Sequence, residues 1–123
     1  MTPRESVLQR IQEGDIFHAE ADWGGSLICL ALEVTDTTIL GKTVTTQLFY
    51  LFERRSGVAH DEDGQAFASI DSTARLPDDI LGMVMQIDRK FSRVDGGEGF
   101  YRLTADEKRA LLFIASFYPA NPI

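Results

Sequence analysis

The spacing of apolar residues along the chain changes twice, and this change constrains the fold more than any other feature. Between Asp15 and Ser72 the chain consists of short segments rich in β-branched and aromatic residues, which are typical of strands. Before and after this region, apolar residues recur every three or four positions, as on one face of a helix. The sequence therefore predicts an α+β fold around an antiparallel sheet of about five strands.

The predicted helices carry recognisable start and stop signals. Thr2 with Glu5, and Thr104 with Glu107, have the spacing of a capping box, in which two side chains bond the first free amides of a helix. Gly14 is placed to end the first helix in a left-handed conformation. We therefore expect one helix before the strands and two helices after them.

The curvature of the sheet decides between two architectures. Gly41 lies inside a long strand-like segment and indicates a bulge or a bend, while the run "LICLAL" at 27–32 is typical of a strand covered on both faces. We predict an N-terminal helix, a strongly curved antiparallel sheet for which an SH3-like barrel is favoured, and two C-terminal helices packed on it. A flatter sheet covered by the helices is the alternative. Residues 1–123 are expected to form a single globular domain.

Charge and cysteine content indicate which classes of partner and which cellular compartment to expect. The formal net charge is −7 at pH 7, and no lysine or arginine occurs between Arg10 and Lys42. Such an acidic surface repels phosphates and anionic lipids, so we expect neither nucleic acid nor a membrane as a partner. Cys29 is the only cysteine, and the N-terminus lacks the apolar core of a signal peptide. Both features favour a cytoplasmic protein.

The segment "HDEDGQ", residues 60–65, has the residue types of a metal site. When Gly64 is aligned with the glycine of an EF-hand calcium loop, however, the first and last ligand positions fall on Ala59 and Ile70. The flanking segments are also typical of strands, whereas helices flank an EF-hand loop. We interpret Asp63-Gly64 as a hairpin turn and predict no metal site and no cofactor.

Either histidine, His18 or His60, could meet Cys29 or Asp22 across paired strands, and a pair of Cys29 with a histidine would be a candidate nucleophile and base. Cys29 lies among apolar residues, where burial raises the pKa of a thiol and makes it unreactive. We therefore interpret Cys29 as a core residue. The sequence also contains no GxSxG, HExxH, P-loop or Rossmann motif, so the case for an enzyme is weak.

Trp23 is the strongest candidate for contact with a ligand or a partner. It stands beside two glycines in "DWGGS", between two predicted strands, and tryptophan is enriched at interface hot spots. The alternative is that Trp23 closes an open end of the core. Tyr50 and Phe67 are further candidate binding residues, which together with Trp23 would line a pocket between the sheet and the helices.

These features favour a non-catalytic domain that binds a protein or peptide partner or a second copy of itself. The aromatic segment "LFYLF" and the apolar final helix "ALLFIASFY" are candidate interfaces, and Arg54 and Arg55 at a hairpin tip are candidates for docking an acidic partner. Two alternatives remain open. One is a small-molecule-binding protein or unrecognised enzyme with a pocket between sheet and helices. The other is an acidic immunity or inhibitor protein that neutralises a basic partner.

Overall fold

The computed structural model describes residues 2–44, 46–93 and 103–116, and these contain three helices and six strands. In chain order the elements are α1 (Pro3–Gln9), β1 (Ile16–Ala21), β2 (Ser26–Val34), β3 (Thr38–Thr43), β4 (Phe49–Glu53), β5 (Val58–His60), β6 (Ala66–Ala74), α2 (Asp78–Arg93) and α3 (Ala105–Ser116). The α+β class and the order of elements are confirmed. The last two residues of "ALLFIASFY" lie outside the described residues.

The strands form a closed antiparallel barrel, in which each strand pairs with the next and β6 returns to pair with β1. The strongly curved sheet is thus confirmed, with six strands rather than about five. The difference arises because the segment that looked like one long strand is divided into β3 and β4. Between these two strands Gln47 adopts a φ of 59°, in the left-handed region that strands do not use.

The first helix begins as predicted and ends earlier than predicted. The Thr2 hydroxyl accepts a hydrogen bond from the Glu5 amide at 3.1 Å. The helix ends at Gln9, so the predicted end at Gly14 is wrong, and Gly14 lies in the turn before β1 with a φ of 92°. The chain leaves the helix after Gln9, and Ile11 packs into the barrel interior, where it is buried.

Two hydrophobic clusters lie on the two sides of the sheet. The first fills the barrel and contains Leu8, Ile11, Phe17, Ala19, Cys29, Ala31, Ile39, Phe52, Ala59, Ala68 and Ile70. The second joins the outer face of β1 and β2 to α2 and α3, and contains Ile16, Leu30, Val44, Leu76, Val84, Ile87, Leu103, Ala110 and Ile114. Consequently β2 is covered on both faces, as its apolar run predicts.

The second capping box holds the start of α3 and ties it to α2. The Glu107 amide donates to the Thr104 hydroxyl at 3.1 Å, and the Thr104 amide donates back to Glu107 Oε1 at 2.8 Å. Lys90 of α2 donates to the same oxygen at 2.5 Å. Burial raises the pKa of the Glu107 carboxyl, but these donors outweigh burial and hold the pKa below its ordinary value.

Close packing in the barrel explains why residue 41 is a glycine. Phe17 meets Phe52 edge to face, with ring centroids 5.3 Å apart. A Cβ atom added to Gly41 would lie 2.6 Å from Cζ of Phe17, so the ring occupies the space of a side chain. The bulge expected at Gly41 lies in the neighbouring strand, where the register of β2 shifts between Ala31 and Glu33.

We predict that Gly41→Ala destabilises the barrel by about 1–3 kcal/mol, because the added methyl group forces Phe17 to move within a filled core. Gly82→Ala is the matched control, since a Cβ at Gly82 meets no atom within 4 Å. That change should be neutral or stabilising by up to about 1 kcal/mol, because alanine favours a helix interior. Chemical denaturation measures both. Equal free energies of unfolding for the two variants would contradict the packing assigned to Phe17.

Candidate binding site at the turn end of the barrel

The two ends of the barrel differ. α1 closes one end, where Leu8 and Ile11 join the interior cluster. The β1–β2, β3–β4 and β5–β6 turns surround the other end, which we call the turn end. These three connections alternate along the chain with the connections at the α1 end.

Three aromatic side chains meet at the turn end. Trp23 stacks on Phe67, with centroids 6.3 Å apart and ring planes 12° apart, and Phe67 contacts Tyr50 at 5.7 Å. Trp23 is 61% exposed, whereas Tyr50 and Phe67 are half-buried against the interior cluster. We call these three residues the aromatic rim. They meet at the turn end, and not between the sheet and the helices as the pocket hypothesis assumes.

Two glycines fix the position of Trp23. Gly24 adopts a φ of 88°, which closes the β1–β2 turn. A Cβ at Gly25 would lie 2.6 Å from Nε1 of Trp23, so the indole folds across its own turn. The Asp22 amide also donates to the Phe67 carbonyl at 2.9 Å, which ties this turn to β6. Trp23 is consequently held by the barrel although it is exposed.

An irregularity in β6 positions Phe67. Ala68 pairs with Ala59, and Ala66 pairs with His60, so Phe67 is the extra residue of a bulge and has no partner in β5. Bulges redirect side chains and often lie beside functional sites. Sequence patterns do not reveal such a bulge, which explains why the three aromatic residues are predictable as candidates but their meeting point is not.

A shallow groove of about 400 Å³ lies beside the aromatic rim. Val58, Ala66 and Phe67 form an apolar part of its lining, and Glu20 and Asp22 also line it. Both acidic residues are exposed. The groove therefore combines an aromatic surface with two solvated carboxylates.

A separate cavity of about 180 Å³ lies between the sheet and α3. It is lined by Ser26, Leu27, Ile28, Thr43, Val44, Thr46, Leu111 and Ile114. Pockets for small-molecule ligands typically enclose roughly 300–1,000 Å³. The cavity is thus small for such a ligand, and it includes no residue of the aromatic rim.

The hairpin arginines have different environments. Arg54 donates to the backbone carbonyls of Gln9, Ile11 and Thr35 at 2.7, 3.1 and 2.8 Å, so its guanidinium anchors the end of α1 to the barrel. Arg55 is exposed and remains the better placed of the two for docking an acidic partner.

Arg4 makes the reciprocal connection from α1 to the barrel. Its guanidinium donates to the Ser56 carbonyl at 2.9 Å, the Ile70 carbonyl at 2.6 Å and the Ser69 hydroxyl at 2.9 Å. Together with Arg54, this side chain locks α1 over the barrel end. We call the pair the arginine clamp.

Cys29 and His18 do not form a catalytic pair. Cys29 is opposite Phe17 in the β1–β2 ladder and shares its side of the sheet, which is the barrel interior. His18 follows Phe17 and therefore faces the other side. Burial raises the pKa of Cys29 to about 12 and lowers that of His18. The thiol is a core group, as the sequence predicts.

The segment 60–65 forms a turn, as predicted. Gly64 has a φ of 78°, and Oδ1 of Asp61 accepts hydrogen bonds from the amides of Asp63 and Gln65, each at 2.9 Å. The Asp61 carboxylate thus closes the turn. Within the described ranges, no three His, Cys, Asp or Glu residues are grouped so as to hold a metal ion.

The outer face of β4 is a second apolar surface. Leu48, Phe49 and Leu51 are exposed by 51, 59 and 56% respectively. The Lys42 ammonium lies 5.5 Å from the Phe49 ring centroid and 3.2 Å from a carboxylate oxygen of Asp88. We call Leu48, Phe49 and Leu51 the β4 face.

We predict that Arg54→Ala destabilises the protein by about 1–3 kcal/mol, because it leaves backbone carbonyls of α1 without their charged donor. Arg55→Ala, the matched control at the neighbouring exposed position, should change stability by no more than about 0.5 kcal/mol. Thermal or chemical unfolding measures the difference. Similar losses for both variants would contradict the anchoring role of Arg54.

In the part of the chain that the structure describes, no helix has the length and apolar character needed to span a membrane. No family model, curated protein or solved structure matches this chain.

Proposed function

We propose that this chain is a non-catalytic domain that binds a protein or peptide partner through the aromatic rim. The observation that carries the proposal is Trp23, which is 61% exposed while it stacks on Phe67. A tryptophan already held in place loses little conformational entropy on binding, and tryptophan is among the residues most enriched at interface hot spots. Its large apolar surface gains free energy when a partner removes it from water.

Three features support a non-catalytic role. The Cys29 thiol is buried in the barrel, and His18 lies on the opposite side of the sheet. The cavity between the sheet and α3 is small. The single cysteine and the net charge of −7 further support our proposal of a cytoplasmic protein that does not bind nucleic acid.

The proposal predicts that Trp23→Ala abolishes capture of a partner that the wild-type chain captures. The immobilised wild-type chain, Trp23→Ala and Leu112→Ala would be exposed to an extract of the cells that express the protein. Leu112 is the matched control, because it is an apolar residue of α3 with 69% exposure. We expect a protein retained in molar proportion by the wild type and Leu112→Ala and lost by Trp23→Ala.

The exposed position of Trp23 makes this comparison interpretable. Its replacement should change the free energy of unfolding by no more than about 1 kcal/mol, which denaturation verifies. Retention of the same proteins by Trp23→Ala and the wild type would contradict the proposed contact surface.

A second candidate function is self-association through the β4 face. Its specific support is the exposure of Leu48, Phe49 and Leu51, each above one half. Adjacent exposed side chains of this size favour an interface.

Self-association predicts a concentration-dependent dimer in sedimentation velocity. Replacing Phe49 and Leu51 together by serine should give a monomer at every concentration, because the apolar contact is removed. Leu112→Ser removes a leucine elsewhere that is even more exposed, and it should leave the dimer intact. A wild-type chain that stays monomeric at millimolar concentration would exclude this candidate.

A further inference from the structure

We propose that the turn end binds an arginine side chain of a basic partner segment, with the guanidinium stacked on Trp23 and bonded to the carboxylates of the groove. This inference rests on the proposed function, since it uses the same aromatic rim, and it adds the chemistry of the partner. The support comes from the distribution of charge and from the composition of the groove.

Two of the three turns at the turn end, β1–β2 and β5–β6, carry negative charge, and Lys42 beside the third turn pairs with Asp88. Residues 11–41 and 56–74, which include the β1–β2 and β5–β6 hairpins, contain no lysine or arginine. The turn end carries five exposed acidic residues, namely Glu20, Asp22, Asp61, Glu62 and Asp63. None of these five forms an ion pair with another described residue. A surface with this potential attracts cationic partners and repels anionic ones.

Arg4, an arginine of α1 that contacts the groove residue Ser69, is already occupied. Arg4 reaches the α1 side of the groove, where it donates to the Ser69 hydroxyl and to the Ile70 carbonyl. Its remaining contacts are to the Ser56 carbonyl. Arg4 therefore serves the arginine clamp, and the carboxylates near Trp23 remain available to a cation from outside.

The groove offers the two kinds of contact that a guanidinium makes at once. The exposed indole of Trp23 provides an aromatic face, and Glu20 and Asp22 on the adjacent groove provide hydrogen-bond acceptors of opposite charge. A guanidinium is planar, stacks on aromatic rings and donates in a fork to carboxylates. An ammonium is a compact, strongly hydrated charge without a planar face, so arginine fits this site better than lysine.

The test measures binding through the fluorescence of Trp23, which is the only tryptophan of the chain. The full chain would be titrated with a short, otherwise uncharged peptide containing two arginines. Two matched peptides would carry lysine or citrulline, the neutral analogue of arginine, at the same positions. We expect a saturable change in Trp23 emission with the arginine peptide, weaker binding of the lysine peptide and none of the citrulline peptide.

Variants that each remove one carboxylate charge locate the binding site of the arginine peptide. Glu20→Gln and Asp22→Asn should each weaken binding of the arginine peptide about two- to fivefold, as expected for solvent-exposed charge pairs. Asp36→Asn is the matched control, because Asp36 is an exposed acid in the β2–β3 turn at the opposite end of the barrel. It should leave the affinity unchanged within about twofold.

Two results would overturn the inference. One is the absence of a saturable response to the arginine peptide, and the other is an equal loss of affinity in Asp36→Asn and Asp22→Asn, which would indicate general charge attraction only. If the arginine peptide does not bind but Trp23→Ala still fails to capture the cellular partner, the partner is not basic and the proposed function stands. If the peptide binds while partner capture is unaffected by Trp23→Ala, the proposed function fails instead.

Discussion

The pairing of β1 with both β2 and β6 is the constraint on which the rest of the structure depends. It closes the sheet into a barrel, because β1 pairs with β2 on one side and with β6 on the other. It also places β1 between two cores, with Phe17 in the barrel and Ile16 against the helices. The arginine clamp then holds α1 over one end of the closed barrel. At the other end, Tyr50 and Phe67 pack against the interior cluster.

Closure also explains why the turn end can carry an exposed yet ordered aromatic group. β1 leads directly into the turn that holds Trp23, and β6 contributes Phe67 through its bulge. Because β1 and β6 are paired, the two residues are neighbours, and the 2.9 Å hydrogen bond from the Asp22 amide to the Phe67 carbonyl ties the turn that holds Trp23 to β6. Tyr50 and Phe67 thus lie on strands and Trp23 on the tight turn between two paired strands, and such positions hold side chains more accurately than a free loop does.

Strong local signals in the sequence predicted local structure, whereas a turn without such a signal and contacts between distant segments were missed. The capping residues and the Asp63-Gly64 turn are determined by neighbours in the chain, and both predictions are confirmed. The turn between β3 and β4 escaped prediction because its left-handed residue is Gln47, without the glycine or proline that usually marks a turn. Trp23 and Phe67 were predictable as candidates from residue type, but their contact depends on β1–β6 pairing, which joins distant segments. The anchoring by Arg54 was missed for the same reason.

The most direct test of partner binding at the turn end is a two-dimensional amide NMR titration of the ¹⁵N-labelled chain with the arginine peptide. The indole N–H of Trp23 gives a single side-chain signal of its kind, because the chain has one tryptophan. We expect this signal and the amides of residues 20–25 and 60–69 to shift along a common saturation curve. Shifts confined to the β4 face or to α3, with the Trp23 indole unmoved, would contradict binding at the aromatic rim.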